Sequence, residues 1–307
     1  MPVVSQSVWN YETGTGVNGD FGTGQIDIAT NREKNVRIQN NVTGAKGGAL
    51  AITTNKESYS GRSYTSGRIN TKGKQSYGPG HRLVVRAWPK GVRYKGQGFA
   101  FWLMPDEIPA GENHLMWPQG GEVDIMEYVG SIPFANLGSV HYAWSWENNQ
   151  WADWNHNHQG GYYSYEDQEV PISKPGYGNY PPDSTDEYAG SYGFHNYGID
   201  WYENRIEFFI DTTVYHIHYF NDGNISDNDG EVKGVVDNSG PSRVYTSEFS
   251  NHFDEWHPFE HKFFIILSAG VGGADHTYGG SIVPQAEFPC DVFIDYVRVY
   301  KIPDSVQ

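Results

Sequence analysis

An all-β sandwich of two sheets is the fold class this chain predicts, and three observations lead there. The 307 residues include 37 Gly, 22 Tyr, 15 Phe and 10 Trp, a composition suited to strands and turns rather than helices. Short apolar and aromatic runs recur along the chain, punctuated by Gly and Pro. No apolar run approaches the length of a membrane span, and no repeat or low-complexity linker interrupts the pattern, so residues 1–307 are expected to form a single domain.

The predicted strands, in chain order, begin with Ala49–Thr54, Thr65–Lys72, Arg82–Trp88 and Gly98–Met104. Glu122–Tyr128, Gly138–Trp144 and Tyr197–Tyr202 follow. Arg205–Ile210 and Thr213–Tyr219 are separated only by Asp211-Thr212, which reads as a tight hairpin turn. Lys262–Ala269 is too continuously apolar to face water on either side and is expected to be a central strand. Val292–Tyr300 closes the series. The single cysteine, Cys290, excludes an internal disulfide and is expected to be a small structural residue beside this last strand.

One strand carries chemistry. In Gly120-Gly121-Glu122-Val123-Asp124-Ile125-Met126-Glu127-Tyr128, three carboxylates fall within six residues, separated only by apolar ones. Alternate strand residues share a face, so Glu122 and Asp124 point one way while Val123 points into the core. Glu127 is out of phase unless one extra residue at Ile125-Met126, a β-bulge, restores it; all three acids then line one face. Glu122 and Glu127 would be about 13 Å apart along the backbone, at roughly 3.3 Å per step. Leaning together, they approach the separation of about 5–5.5 Å used by retaining glycosidases. Crowded anions raise the pKa of at least one member, which keeps an acid protonated near neutral pH. The other readings are a solvated strand face or oxygen ligands for calcium. A solvated face would not need such apolar flanks, and a calcium loop would carry Asn, Asp and Gly between its ligands.

The formal net charge is −16, from 37 acids against 21 bases, which argues against nucleic acid as a partner and weakly against strongly sulfated polysaccharides. A neutral glucan or lightly charged galactan fits better.

Gly-Glu-Val-Asp-Ile-Met-Glu resembles the active-site signature of glycoside hydrolase family 16, in the bulged form of laminarinases, agarases and carrageenases. Tyr64-Thr65-Ser66-Gly67-Arg68-Ile69, Phe99-Ala100-Phe101-Trp102-Leu103-Met104-Pro105, Trp117-Pro118, Val140-His141 and Phe293-Ile294-Asp295-Tyr296-Val297-Arg298-Val299-Tyr300 resemble further family segments in family order. The resemblance implies a β-jelly roll (concanavalin A-like) with a concave substrate cleft, acting as one catalytic domain over 1–307. It implies a retaining endo-glycosidase with Glu122 as nucleophile, Glu127 as acid/base and Asp124 as the assisting carboxylate. The expected substrate is a β-1,3-glucan of laminarin type, with mixed β-1,3/1,4-glucan tolerated. The alternatives are an endo-galactanase on agar, porphyran or carrageenan, and a non-catalytic β-glucan lectin.

Family position places Trp102 and Trp117 in the cleft as sugar-stacking residues, with His141 facing the acids or the substrate and Arg86 as a cleft arginine for sugar hydroxyls. Trp144, Trp146, Trp151 and Trp154 either line one end of the cleft or pack a long loop; Trp256 is a weaker cleft residue. His156 and His158 have a spacing open to a metal, but are read as solvated loop residues. No cofactor is expected for catalysis. The resemblance implies one structural calcium ion on the convex face, with Asp295 as carboxylate ligand and Gly48 supplying a carbonyl. The departures from the family are Val84, where relatives carry Glu, Ser268, where they carry Asn, and the long Trp144–Gly193 segment with Lys174-Pro175 and Pro181-Pro182 inside it. No leader-like segment follows Met1. Because polymeric glycans lie outside cells, the chain is expected to act as a mature secreted protein, extracellular or periplasmic, and as a monomer without membrane or nucleic-acid partners.

Overall fold

The computed structural model describes residues 4–106, 117–118, 120–143, 146–147, 150–151, 156–164, 193–220, 235–237, 244–248, 258–274 and 277–303. Its first strands are Asn10–Tyr11 (β1), Ile28–Ala29 (β2), Val36–Gln39 (β3), Ala49–Tyr59 (β4), Arg62–Ser66 (β5), Arg68–Asn70 (β6) and Ser76–Tyr77 (β7). His81–Trp88 (β8), Gln97–Pro105 (β9), Glu122–Val129 (β10), Ala135–Ala143 (β11), Trp146–Glu147 (β12), Gln150–Trp151 (β13) and His156–Ser164 (β14) follow. The last are His195–Trp201 (β15), Arg205–Ile210 (β16), Thr213–Tyr219 (β17), Val235–Asp237 (β18), Val244–Glu248 (β19), Phe263–Val271 (β20) and Cys290–Lys301 (β21).

They form the expected sandwich. The first sheet runs β1-β6-β20-β9-β10-β11-β14, with β7 paired to β20. The second runs β18-β19-β17-β16-β15-β8-β21-β4-β5-β2, with β3 paired to β4. Between them lies one apolar core. Leu83 and Val85 of β8, Ile199 and Trp201 of β15, and Phe208 of β16 meet Phe99, Phe101 and Leu103 of β9 and Phe263, Ile265 and Leu267 of β20. β20 is central and buried at every residue, as its unbroken apolar run requires. The turn between β16 and β17 is the two-residue Asp211-Thr212, with Asp211 at φ 53° and its carboxylate accepting the Asn196 N–H.

The stretch Thr65–Lys72 is not one strand. β5 pairs with β4 in the second sheet, whereas β6 pairs with β1 and β20 in the first, and the chain changes sheets at Gly67. A Cβ there would lie 2.8 Å from both the Asn35 carbonyl oxygen and the Val36 side chain, so only glycine lets the crossing strand pass this close. Cys290 opens β21, buried, and burial pushes its thiol up to about 12, which makes it unreactive.

Candidate active site

The bulge lies where the phase argument requires it. On one side of β10, Asp124 faces Trp102 and Met126 faces Phe101; on the other, Asp124 faces Ser139 and Glu127 faces Leu137. The surplus residue turns Ile125 and Met126, consecutive in sequence, both into the core. Glu122, Asp124 and Glu127 therefore share the outer face of the first sheet. Gly121, at φ 83° and bonded to the Pro118 carbonyl, makes the turn that delivers the chain into this strand.

The neighbours of the trio are a histidine, a serine and an indole rather than an arginine or a lysine. His141, opposite Glu122 on β11, places Nε2 3.3 Å from an Asp124 oxygen. The Ser139 hydroxyl lies 3.1 Å from Asp124 Oδ2 and 3.1 Å from Glu127 Oε2. The indole N–H of Trp117 donates to Glu122 Oε2, and the Trp117 ring, 49% exposed, leans on His141 with centroids 6.0 Å apart. Among the described residues no arginine or lysine bonds to any of the three acids.

Loss of water and mutual repulsion outweigh His141 in the electrostatics. Loss of water, reinforced by the Asp124 charge, pushes Glu122 up to about 8. Asp124 is raised well above the usual carboxylate range by burial and by Glu127, and Glu127 is raised by burial and by Glu122, with His141 opposing. Three carboxyl groups in one hydrogen-bonded cluster titrate together, so the cluster holds a proton near neutral pH while still presenting a carboxylate. One acid and one carboxylate on one face are the two groups that general-acid and nucleophilic attack at a glycosidic bond demand.

Trp102 stands across from Asp124 on β9. Its indole N–H donates to Ser268 Oγ at 3.0 Å, and the Arg68 guanidinium sits 4.9 Å from its ring. Arg68 is in turn held by Glu12 at 2.7 Å and rests 4.5 Å from the Phe21 ring. Ser268, a departure from the family pattern, thus fixes the indole, and the Tyr278 phenol bonds to Ser268. Sequence reading missed Ser139, Arg68 and Tyr278 as site residues. Ser139 had a findable signal, since it stands two residues before His141 on the same face of a strand next to the acids.

Arg86 is not in this cleft. Leu83, Val85 and Ala87 face the core, so alternation along β8 turns Arg86 outward from the second sheet. There Nη1 donates to Asp295 Oδ2 at 2.6 Å and to the Gly44 carbonyl at 2.9 Å, and the guanidinium rests 4.7 Å from the Phe194 ring. The same contact bears on the implied calcium. Asp295 Oδ1 accepts the Lys46 N–H at 3.1 Å and Oδ2 takes Arg86, so both carboxylate oxygens are engaged. Calcium takes 6–8 oxygen ligands. Gly48 is at φ 149°, close to Gln39 and Asn40, and adds no second carboxylate. These residues do not fit a calcium shell; the cation beside Asp295 is an arginine.

Trp146 and Trp151 are cross-strand partners in the β12–β13 hairpin, and His158 pairs with His141 between β14 and β11. Trp144, Trp154 and Trp256 lie outside the described residues.

Comparison with known proteins agrees with this geometry. The chain is 30% identical over 295 residues to a beta-glucanase of Rhodothermus marinus, matching 95% of this chain and 79% of that protein. The chain belongs to glycoside hydrolase family 16. It is also 28% identical to the glucan endo-1,3-beta-glucosidase A1 of Niallia circulans, over 96% of this chain but only 36% of that longer protein. The solved laminarinase of Rhodothermus marinus superposes with a TM-score of 0.64 at 26% identity, covering 97% of this chain and 92% of the other. No family model matches the chain. As a family 16 member the protein is a glycoside hydrolase of all-β sandwich fold acting on a polysaccharide.

Proposed function

We propose that the protein is a secreted, monomeric endo-hydrolase cleaving internal β-1,3 linkages of laminarin-type β-glucan, with mixed β-1,3/1,4-glucan also accepted, by retaining double displacement. The observation that carries this reading is the bulged strand β10, which gathers the buried Asp124 and the half-buried Glu122 and Glu127 onto one face with no arginine or lysine bonded to them among the described residues. Glu122 attacks the anomeric carbon, forming a C–O bond as the bond to the leaving sugar breaks, and Glu127 gives its proton to the departing oxygen. Glu127, now a carboxylate, takes a proton from water, which attacks the same carbon and releases Glu122. Asp124 shares a proton with Glu122 through their hydrogen bond and keeps it as Glu122 attacks as a carboxylate. Trp117 orients Glu122 through its indole N–H, and the Trp102 ring, fixed by Ser268, gives the sugar a flat face to stack on.

The test is release of reducing sugar from laminarin, lichenan, agarose, porphyran and κ-carrageenan, with Glu122→Gln as control. Release from laminarin, lost in the variant and giving first the β-anomer by NMR, is the expected result. Release only from a red-algal galactan would keep the chemistry and replace the substrate. Binding to one polymer with no release from any would leave a lectin.

A further inference from the structure

Ser139 is buried on β11 at the one place where a single hydroxyl reaches two of the acids, 3.1 Å from Asp124 Oδ2 and 3.1 Å from Glu127 Oε2. Its position is built by the bulge. Asp124 is its register partner on β10, and the extra residue beyond Asp124 brings Glu127 back to the same face, one step along. A hydroxyl carries one proton and two lone pairs. It donates to one carboxylate at a time and accepts from the other only when that group is protonated.

We propose that Ser139 is a positioning residue that turns its O–H between Asp124 and Glu127 as the reaction proceeds, coupling the protonation of the acid/base to that of Asp124. The inference rests on the retaining reading above. Before the first step, Glu127 is protonated and donates to Ser139 Oγ, while Ser139 donates to Asp124, whose own proton is directed at Glu122. When Glu127 has given its proton to the leaving oxygen and Glu122 is esterified, the direction reverses. The Asp124 proton, no longer needed by Glu122, is donated to Ser139 Oγ, and the Ser139 O–H turns to the new Glu127 carboxylate. No proton leaves Ser139, and the proton count of the three groups changes only by the one Glu127 gives up. In the second step Glu127 recovers a proton from water and the hydroxyl swings back. His141 approaches Asp124 at 3.3 Å and bears on Glu127 through its charge, and Trp117 bonds to Glu122; the Ser139 hydroxyl is the group placed at 3.1 Å from both Asp124 and Glu127.

Ser139→Ala is expected to lower kcat by about ten- to a hundredfold, the range for a hydrogen bond to a charged group, with KM changed less than about twofold. Its alkaline limb should move to higher pH, because the donor that favours the Glu127 carboxylate is gone. Ser139→Thr keeps the hydroxyl and should restore both kcat and the limb. In a Glu127→Gln background, Ser139→Ala should cost markedly less than in the wild type. The link can also be read without substrate. Titration of 13C-labelled glutamate carboxyls by NMR, assigned with Glu127→Gln, should show the Glu127 midpoint rise in Ser139→Ala and return in Ser139→Thr. An unmoved Glu127 midpoint in a folded Ser139→Ala protein, or an equal loss with and without Glu127, overturns the inference. A wild type inactive on every polymer but with the midpoint shift intact would overturn the functional reading instead.

Discussion

The two outer faces of the sandwich treat carboxylates in opposite ways. On the second sheet four acids with described side chains each have an arginine. Asp200 is gripped by Arg82 through both oxygens at 2.6 and 2.5 Å, Glu207 by Arg205 at 2.6 Å, Asp295 by Arg86 at 2.6 Å and Asp291 by Arg37 at 2.9 Å. On the first sheet three acids share one patch and, among the described residues, are met by a serine, a histidine and an indole. Partial or full burial is common to both faces; the arginine is the difference. A carboxylate gripped by an arginine ties strands together, whereas a cluster of carboxyl groups without one holds a proton and can give it away.

The sharpest way to break this contrast is to remove charge from each face in turn. Glu122→Gln should abolish turnover by on the order of 10⁵-fold, and Glu127→Gln should reduce it by about 10²–10⁴-fold. Neither should unfold the protein. Glu122 rises from an ordinary value of 4.5 to about 8 on folding, so its contribution to stability is present below pH 4.5 and is lost as pH rises through 8. Glu122→Gln should therefore melt above the wild type by a margin that grows across that interval. A melting difference independent of pH would mean that folding does not raise the proton affinity of Glu122.

Asp124→Asn tests the coupling within the cluster. It keeps the shape of the side chain and removes the charge that, after burial, does most to raise Glu122. The acid limb of the kcat profile should shift to lower pH, with kcat reduced by on the order of a hundredfold as the shared proton loses its partner. An unmoved limb would separate Asp124 from the nucleophile.

On the other face, Asp200→Asn should leave turnover unchanged and cost roughly 1–3 kcal/mol in urea unfolding, because Arg82 loses a bidentate partner. The half-exposed Arg82 side chain keeps the cost toward the lower end. A loss of activity comparable with that of the acid trio would erase the distinction between the faces.

How much of this was legible in the sequence follows from what alternation can and cannot encode. Period-two patterning told which residues share a face of one strand, so the β10 bulge and its three acids could be read from spacing alone. It does not say which sheet a strand joins. Arg86 alternates with Leu83, Val85 and Ala87 in a pattern equally suited to either outer face, and only the pairing of β8 with β15 and β21 turns it away from the acids. The break at Gly67 was hidden for a similar reason, since Thr65–Lys72 is continuous as a pattern and divided only by the approach of Asn35 and Val36. β14 and its pairing with β11 also escaped, because the polar His156–Gly161 reads as loop until a neighbouring strand supplies the partner.

Arg86 gives the contrast its smallest and most specific test. Family likeness implies a calcium ion at Asp295, but both oxygens of that carboxylate are already engaged, by a guanidinium and a backbone N–H. If an arginine carries the positive charge there, chelation by EDTA should shift the melting temperature by less than about 1 °C. Arg86→Ala should lower it, because Asp295 would be left without its cation. Calcium added to that variant would then meet a freed carboxylate oxygen and the Gly44 carbonyl, and should raise the melting temperature of the variant more than that of the wild type. A wild type that loses stability on chelation would instead show that the second sheet holds a metal as well as its arginines, and that pairing by side chains alone does not distinguish the two faces.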